Sequence, residues 1–124
     1  MAEQNLTGKE GEEEARKYLI GQEYVIFHTN WRWKHYEIDI VAAKDGELVV
    51  VEVKTRSNNF LLAPEEAIDR GKIKRLVAAA DVYVRSFRLD MPVRFDIITL
   101  IKSENGYEIE HIEDAFYAPI RKKW

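Results

Sequence analysis

The sequence predicts a domain of the α/β or mixed α+β class, and three observations carry that expectation. Two stretches, 8–21 and 73–88, repeat their apolar residues at helical spacing. Several shorter runs of Val, Ile and aromatic residues, bounded by turn residues, read as strands. The second helical stretch lies between strand candidates, and a strand–helix–strand order implies at least one parallel pairing.

The elements follow in order. Thr7 and Glu10 have the capping-box spacing, and Ala15, Tyr18 and Leu19 supply an apolar stripe, so a first helix is expected over 8–21. A short strand follows at 24–28. The stretch 37–56 reads as a hairpin turning at Asp45-Gly46. Residues 57–63 look like a loop, and Pro64 suits the first turn of a helix. Ile73, Leu76, Val77, Ala80, Val84 and Phe87 mark a second amphipathic helix ending near Arg88. Strands at 93–101 and 106–112 complete the order αβββαββ.

Composition narrows the function classes. The chain has 124 residues, 46% of them hydrophobic, enough for one core and too few for two, so 1–124 is read as one domain. No cysteine is present, which excludes disulfides, zinc–thiolate sites and thiol catalysis. A polar, acidic N-terminus and the lack of any apolar run near the length of a membrane span favour a cytoplasmic protein without a membrane partner. The net charge of −3 and pI of about 5.7 argue against nucleic-acid binding through bulk positive charge, so such binding needs a local patch.

The hairpin poses a question, because its valine-rich strands carry Glu37, Asp39, Glu52 and Lys54. Alternation puts Glu37 and Asp39 on one face, with Ile38 and Ile40 on the other, and separates Glu52 and Lys54 from Val51 and Val53 in the same way. With Asp45 and Gly46 as the two turn residues, Asp39 faces Glu52 and Glu37 faces Lys54, their Cβ atoms roughly 5 Å apart. Opposed carboxylates repel unless a cation sits between them or one keeps its proton. The expected arrangement is therefore a packed face of Ile38, Ile40, Val51 and Val53, with a charged cleft on the other side.

Glu12 adds a third acid. It precedes Ala15 by three residues and Leu19 by seven, at the border of the helix face turned to the sheet, whereas Glu13 points away. Oxygen-only ligands suit a hard cation, Mg²⁺ or Mn²⁺, which can hold a phosphate oxygen and activate water. A neighbouring lysine can stabilise developing charge. This is the chemistry of phosphodiester hydrolysis.

Asp39, a spacer and then Glu52-Val53-Lys54 resemble the D…(D/E)-X-K signature of the restriction-endonuclease-like superfamily. The surrounding G-K-E-G-E-E-E-A-R-K-Y-L from Gly8, N-W-R from Asn30, E-I-D-I-V-A, V-E-V-K-T-R, K-I-K-R-L from Lys72 and V-R-F-D-I-I from Val93 are similar in that order to the YraN family. These are small bacterial proteins assigned to that superfamily and similar in pattern to archaeal Holliday-junction resolvases. The resemblance covers nearly the whole chain. It implies a restriction-endonuclease-like α/β fold, a mixed central sheet flanked by helices, and a metal-dependent nuclease acting on DNA in preference to RNA, branched DNA included. It implies Asp39 and Glu52 as metal ligands with the Val53 carbonyl, Lys54 as the catalytic lysine, Glu12 as a helix-borne acid assisting metal or water, and Glu37 as a supporting acid behind the ligands. Two positions depart from the pattern: Tyr36 stands where Gly usually precedes E-I-D, and Ile38 where Pro is common.

Other accounts compete residue by residue. A solvated sheet face with cross-strand ion pairs explains Asp39, Glu52 and Lys54 on spacing alone, and the helix dipole explains acids at 12–14. Trp31-Arg32-Trp33-Lys34-His35-Tyr36 interleaves rings and bases as a nucleic-acid surface does, although at least one Trp is expected in the core. Between Arg70 and Arg88 stand six basic residues and one acid, a face able to track phosphates or simply to meet solvent. Arg56, Lys72, Lys74, Arg75 and Trp33 are the candidate nucleic-acid contacts. Arg121-Lys122-Lys123 reads as a basic tail, Asp96 as a core-strand acid without a catalytic role, and His28, His35 and His111 as structural or exposed. If three acids face a metal, the rest of the chain is neutral, and a homodimer joining two patches would strengthen otherwise weak binding. The alternatives to a nuclease are a non-catalytic nucleic-acid-binding module of the same fold and a protein adaptor using the Trp31 to Tyr36 surface.

Overall fold

A computed structural model describes residues 2–56 and 69–116, with side chains from residue 8 onward. The order is α1 (Ala2–Gly21), β1 (Val25–Trp33), β2 (Tyr36–Lys44), β3 (Glu47–Arg56), α2 (Arg70–Ser86), β4 (Val93–Ser103) and β5 (Gly106–Phe116). The five strands form one sheet in sequence order, antiparallel except for the β3–β4 pair. The expected αβββαββ order and the mixed sheet are both present. Among the described residues no helix is long and apolar enough to cross a membrane.

Helix α1 starts earlier than expected. Its backbone is helical from Ala2, so Thr7 lies inside the helix and not at its N-terminus. The residues preceding it include good helix formers, Ala2, Glu3, Gln4 and Leu6, with no breaker among them. At its other end Tyr24 N–H donates to the Leu19 carbonyl, with Glu23 in a left-handed conformation (φ 70°). The chain then enters β1, which runs past His28 to Trp33 because Thr29, Trp31 and Trp33 continue the β-forming pattern.

Between β1 and β2 lies a hairpin that the sequence did not announce. Trp33 and Tyr36 form its last pair around Lys34 and His35, with Lys34 at φ 55°. The β2–β3 turn is the expected one. Asp45 (φ 52°) and Gly46 (φ 82°) both take positive φ, as a type I′ turn requires, and fix Lys44 opposite Glu47 and Ile40 opposite Val51.

Both faces of this ribbon are packed, which corrects the expectation of one apolar face and one open cleft. Ile40, Ala42, Val49 and Val51 join Ala15 and Leu19 beneath α1, with Val53 packed against them. Ile38, Val41, Leu48 and Val50 join Leu76, Ala80 and Tyr83 beneath α2. Ile38 and Ile40 thus face opposite sides, a break in alternation at Asp39. A central strand between two helices must be apolar on both sides, and each fully buried Val, Leu or Ile side chain here contributes roughly 1.5–3 kcal/mol.

Helix α2 begins at Arg70, where the Asp69 carboxylate accepts the Lys72 N–H at 2.7 Å. The loop expected at 57–63, Pro64 and the basic tail lie outside the described residues. Leu76, Ala79, Ala80 and Tyr83 form the buried stripe. Phe87 is left out of it, exposed at the helix end beside His28 and Tyr83. Strands β4 and β5 each run past their expected ends, and β5 is an outer strand with Glu108, Glu110 and Glu113 exposed.

Candidate functional site

The described β2–β3 pairing stops at Ile40–Val51. One residue further along β2, the Asp39 carboxylate accepts the backbone N–H of Val53 at 2.9 Å. A side chain therefore takes a β3 amide, and the two strands fork here. The expected register holds from Lys44–Glu47 to Ile40–Val51, and the facing pairs expected beyond it, Asp39 with Glu52 and Glu37 with Lys54, lie past the end of this ladder. On its β1 side Glu37 pairs with Arg32, and its carboxylate is 3.5 Å from the Arg32 guanidinium.

Glu52, next on β3, is buried, and its carboxylate meets two ammonium groups, Lys54 Nζ at 3.6 Å and Lys72 Nζ at 3.3 Å. Lys54 shares its strand face. Lys72 comes from the first turn of α2, which the crossover returns over the C-terminal end of β3. A buried carboxylate needs such partners, because charge is costly to remove from water.

Asp39 is held differently. Burial pushes its carboxyl up, the charge of Glu52 pushes it further, and Glu12 and Glu37 add to the effect; the Val53 N–H opposes them. The result is a group drawn up from 3.8 to about 7. Four acids therefore act at the fork, with Asp39 among the other three. A strongly perturbed acid beside specific charges is a functional-site indicator.

Glu12 is half-buried on α1, while Glu13 is exposed and paired with Arg16 at 2.6 Å. Its neighbour Gly11 is buried where α1 meets β3, and a Cβ there would overlap the Thr55 hydroxyl. Glycine lets the helix sit close enough for Glu12 to act on Asp39. Among the described residues, however, no three carboxylates or imidazoles form a ready cluster for a metal. Glu52 and Glu12 both act on the charge of Asp39, Glu52 the more strongly. The donor set still fits a hard cation, since Mg²⁺ keeps several waters and takes only one or two carboxylates from the protein.

The remaining candidates lie around this end of the sheet. Arg56 ends β3 opposite Ile101, and Lys74 and Arg75 are exposed on α2. Trp31 packs edge-on against Tyr83, whereas Trp33 is exposed. The expectation that one Trp serves the core is met by Trp31.

Two features were missed in the sequence. Lys72 is a partner of Glu52, a role its position in the first turn of the helix that follows β3 could have suggested. On the α1 side of the sheet, buried Asp96 binds the Arg94 guanidinium at 2.8 Å, His111 Nε2 at 2.7 Å and the Asp114 N–H at 3.1 Å. Tyr18 contacts the other ring nitrogen of His111 at 3.0 Å, and Arg94 also donates to Tyr24. The clue was opposite charge two residues apart on a strand otherwise apolar. His28 is structural, 2.6 Å from the Tyr83 hydroxyl.

Comparison with known proteins gives a consistent result. A model of the uncharacterised protein family UPF0102 matches residues 11–100. A UPF0102 protein of Parabacteroides distasonis is 65% identical over 121 residues, covering 98% of this chain and 100% of its own. One of Bacteroides thetaiotaomicron is 57% identical, covering 97% and 99%, and one of Flavobacterium psychrophilum 46% identical, covering 94% and 98%.

Proposed function

The chain belongs to the UPF0102 family, also called the YraN family, and from the chemistry of its site we propose that it is a divalent-metal-dependent nuclease. The observation that carries this reading is the β2–β3 fork, where Asp39 and Glu52 repel each other while two lysines converge on Glu52. Asp39 and Glu52, with the Val53 carbonyl, would hold Mg²⁺ or Mn²⁺. The ion, when bound, supplies a Lewis acid for a phosphate oxygen and eases deprotonation of water.

The other roles belong to the chain. Glu52 holds Lys54 beside the acids, ready to stabilise negative charge that develops on the phosphate. Lys72 draws the phosphodiester backbone toward the same point, and Lys74, Arg75 and Arg56 extend the cationic border. Glu12 orients water from the α1 side, and the Arg32–Glu37 pair screens one flank. DNA is the favoured substrate, and two copies acting together would compensate for the low net charge.

The test incubates the full chain with branched, flapped, single-stranded and duplex DNA and with RNA, with and without Mg²⁺ or Mn²⁺. Metal-dependent cutting is expected, lost in Asp39→Ala and reduced about 10²–10³-fold in Lys54→Ala. Absence of cutting on every substrate, or equal cutting by Asp39→Ala, refutes the reading. A non-catalytic binding module is the second reading, supported by the ion pairs that already satisfy Glu52. It would bind nucleic acid with no response to divalent ions.

A further inference from the structure

We infer that the tip of the β1–β2 hairpin is a stacking platform for an unpaired nucleobase, so that the substrate class is nucleic acid with single-stranded residues beside the bond to be cut. The part concerning cleavage rests on the nuclease reading; the part concerning binding does not. Trp33 and Tyr36 close the hairpin with ring planes 6° apart and centroids 6.0 Å apart. Lys34 Nζ lies 4.7 Å from the centre of the Trp33 ring, and the His35 ring is 4.6 Å from that of Tyr36. Trp33 is 39% exposed, because Trp31 has taken the core position two residues earlier. Its ring therefore has surface left for a ligand.

The chemistry of the tip favours a base over a protein side chain. Rings alternate with Arg32 and Lys34, and the nearby acid, Glu37, is already turned to Arg32. A base stacked on an aromatic ring gains more than an exposed cation–π contact. An entering base therefore displaces the Lys34 ammonium, which is left beside the adjoining phosphate. Bases inside a duplex have both faces covered by their neighbours and cannot make this stack. Asp39 is three steps along β2 from Tyr36, about 10 Å at ~3.3 Å per residue. At ~3.4 Å per stacked base, that distance spans about three nucleotides.

The binding test uses the full chain in EDTA and fluorescently labelled DNA: a single-stranded dT oligonucleotide, a blunt duplex, and a duplex with a single-stranded flap. Trp33→Ala should weaken the single-stranded and flapped ligands about tenfold and the blunt duplex less than about twofold, while Trp33→Phe keeps most of the affinity. No loss, an equal loss on all three ligands, or no binding by the unaltered protein overturns the inference. With Mg²⁺ added, cuts should fall within about three nucleotides of the flap junction. Cuts scattered along paired DNA overturn it while leaving the nuclease reading intact. Trp33-dependent selectivity without cutting upholds the platform and refutes the nuclease reading.

Discussion

Asp39 has two attachments of opposite sign: a backbone N–H that favours its charge, and three neighbouring acids that oppose it. With its carboxyl raised from 3.8 to about 7, the folded chain binds that proton more tightly than the unfolded chain. Its contribution is then fully present below about pH 4 and lost as pH rises through 7. Asp39→Asn keeps an acceptor for Val53 and removes the titration. Urea unfolding in EDTA should find this variant more stable than the parent at pH 8, by on the order of 2 kcal/mol, with no gain at pH 4. Asp96 has the reverse sign. Burial pushes it up, but His111, Arg94 and the Asp114 N–H outweigh burial and hold it below the usual carboxylate range. Its stabilisation is present above the ordinary carboxylate value and is lost only as pH falls through the lowered one. Asp96→Ala strips the mostly buried Arg94 of its shortest carboxylate contact, leaving it the longer pair with Glu47 at 3.3 Å, and should cost about 1.5–3 kcal/mol in urea unfolding at neutral pH. That Asp39 comes near Glu52 and Lys54 was legible because the Asp-Gly turn, a local signal, fixes the register of the hairpin. Lys72 was not, because its partner Glu52 stands on the far side of the crossover, and the Asp96 cluster was not, because His111 and Tyr24 reach it from distant parts of the chain although Arg94 lies only two residues from Asp96.

At the scale of elements, α1 is located by a glycine. Gly11→Ala should push the helix from β3 at Thr55, destabilise the chain by about 1–3 kcal/mol and weaken any Glu12-dependent activity. Combining it with Thr55→Ala, which removes the obstructing hydroxyl, should restore much of the loss in thermal denaturation. If the double variant is as unstable as the sum of the singles, the close approach is not what Gly11 serves. The elements themselves were largely readable from periodicity, with errors at their ends. The β1–β2 hairpin escaped notice because Lys34-His35 carries no Gly, Asn or Asp, although Lys34 takes a positive φ. The face assignment failed at Asp39 for a related reason: alternation assumes an unbroken ladder, and the site lies where the ladder forks.

In the molecule as a whole, the acids and lysines of the candidate site stand at the end of the sheet where β3 finishes, near the first turn of α2. Divalent binding there should register as global stability, since a ligand of the folded state stabilises by mass action, about 2.7 kcal/mol at a hundredfold excess over Kd. Thermal unfolding should shift upward with Mg²⁺ or Mn²⁺ in the parent protein and stay unchanged in Asp39→Ala with Glu52→Gln. An equal shift in both would locate the ion elsewhere. The order of elements and the parallel pair were legible in the sequence; which face covers which residue was not, because two helices bury the central strands from both sides. The acids of β5 carry a separate consequence. Glu108, Glu110 and Glu113 line an outer strand, so a second β5 approaching edge to edge would set carboxylates against carboxylates. The charges of this strand thereby work against runaway sheet growth, and they disfavour a homodimer built by pairing one β5 with another.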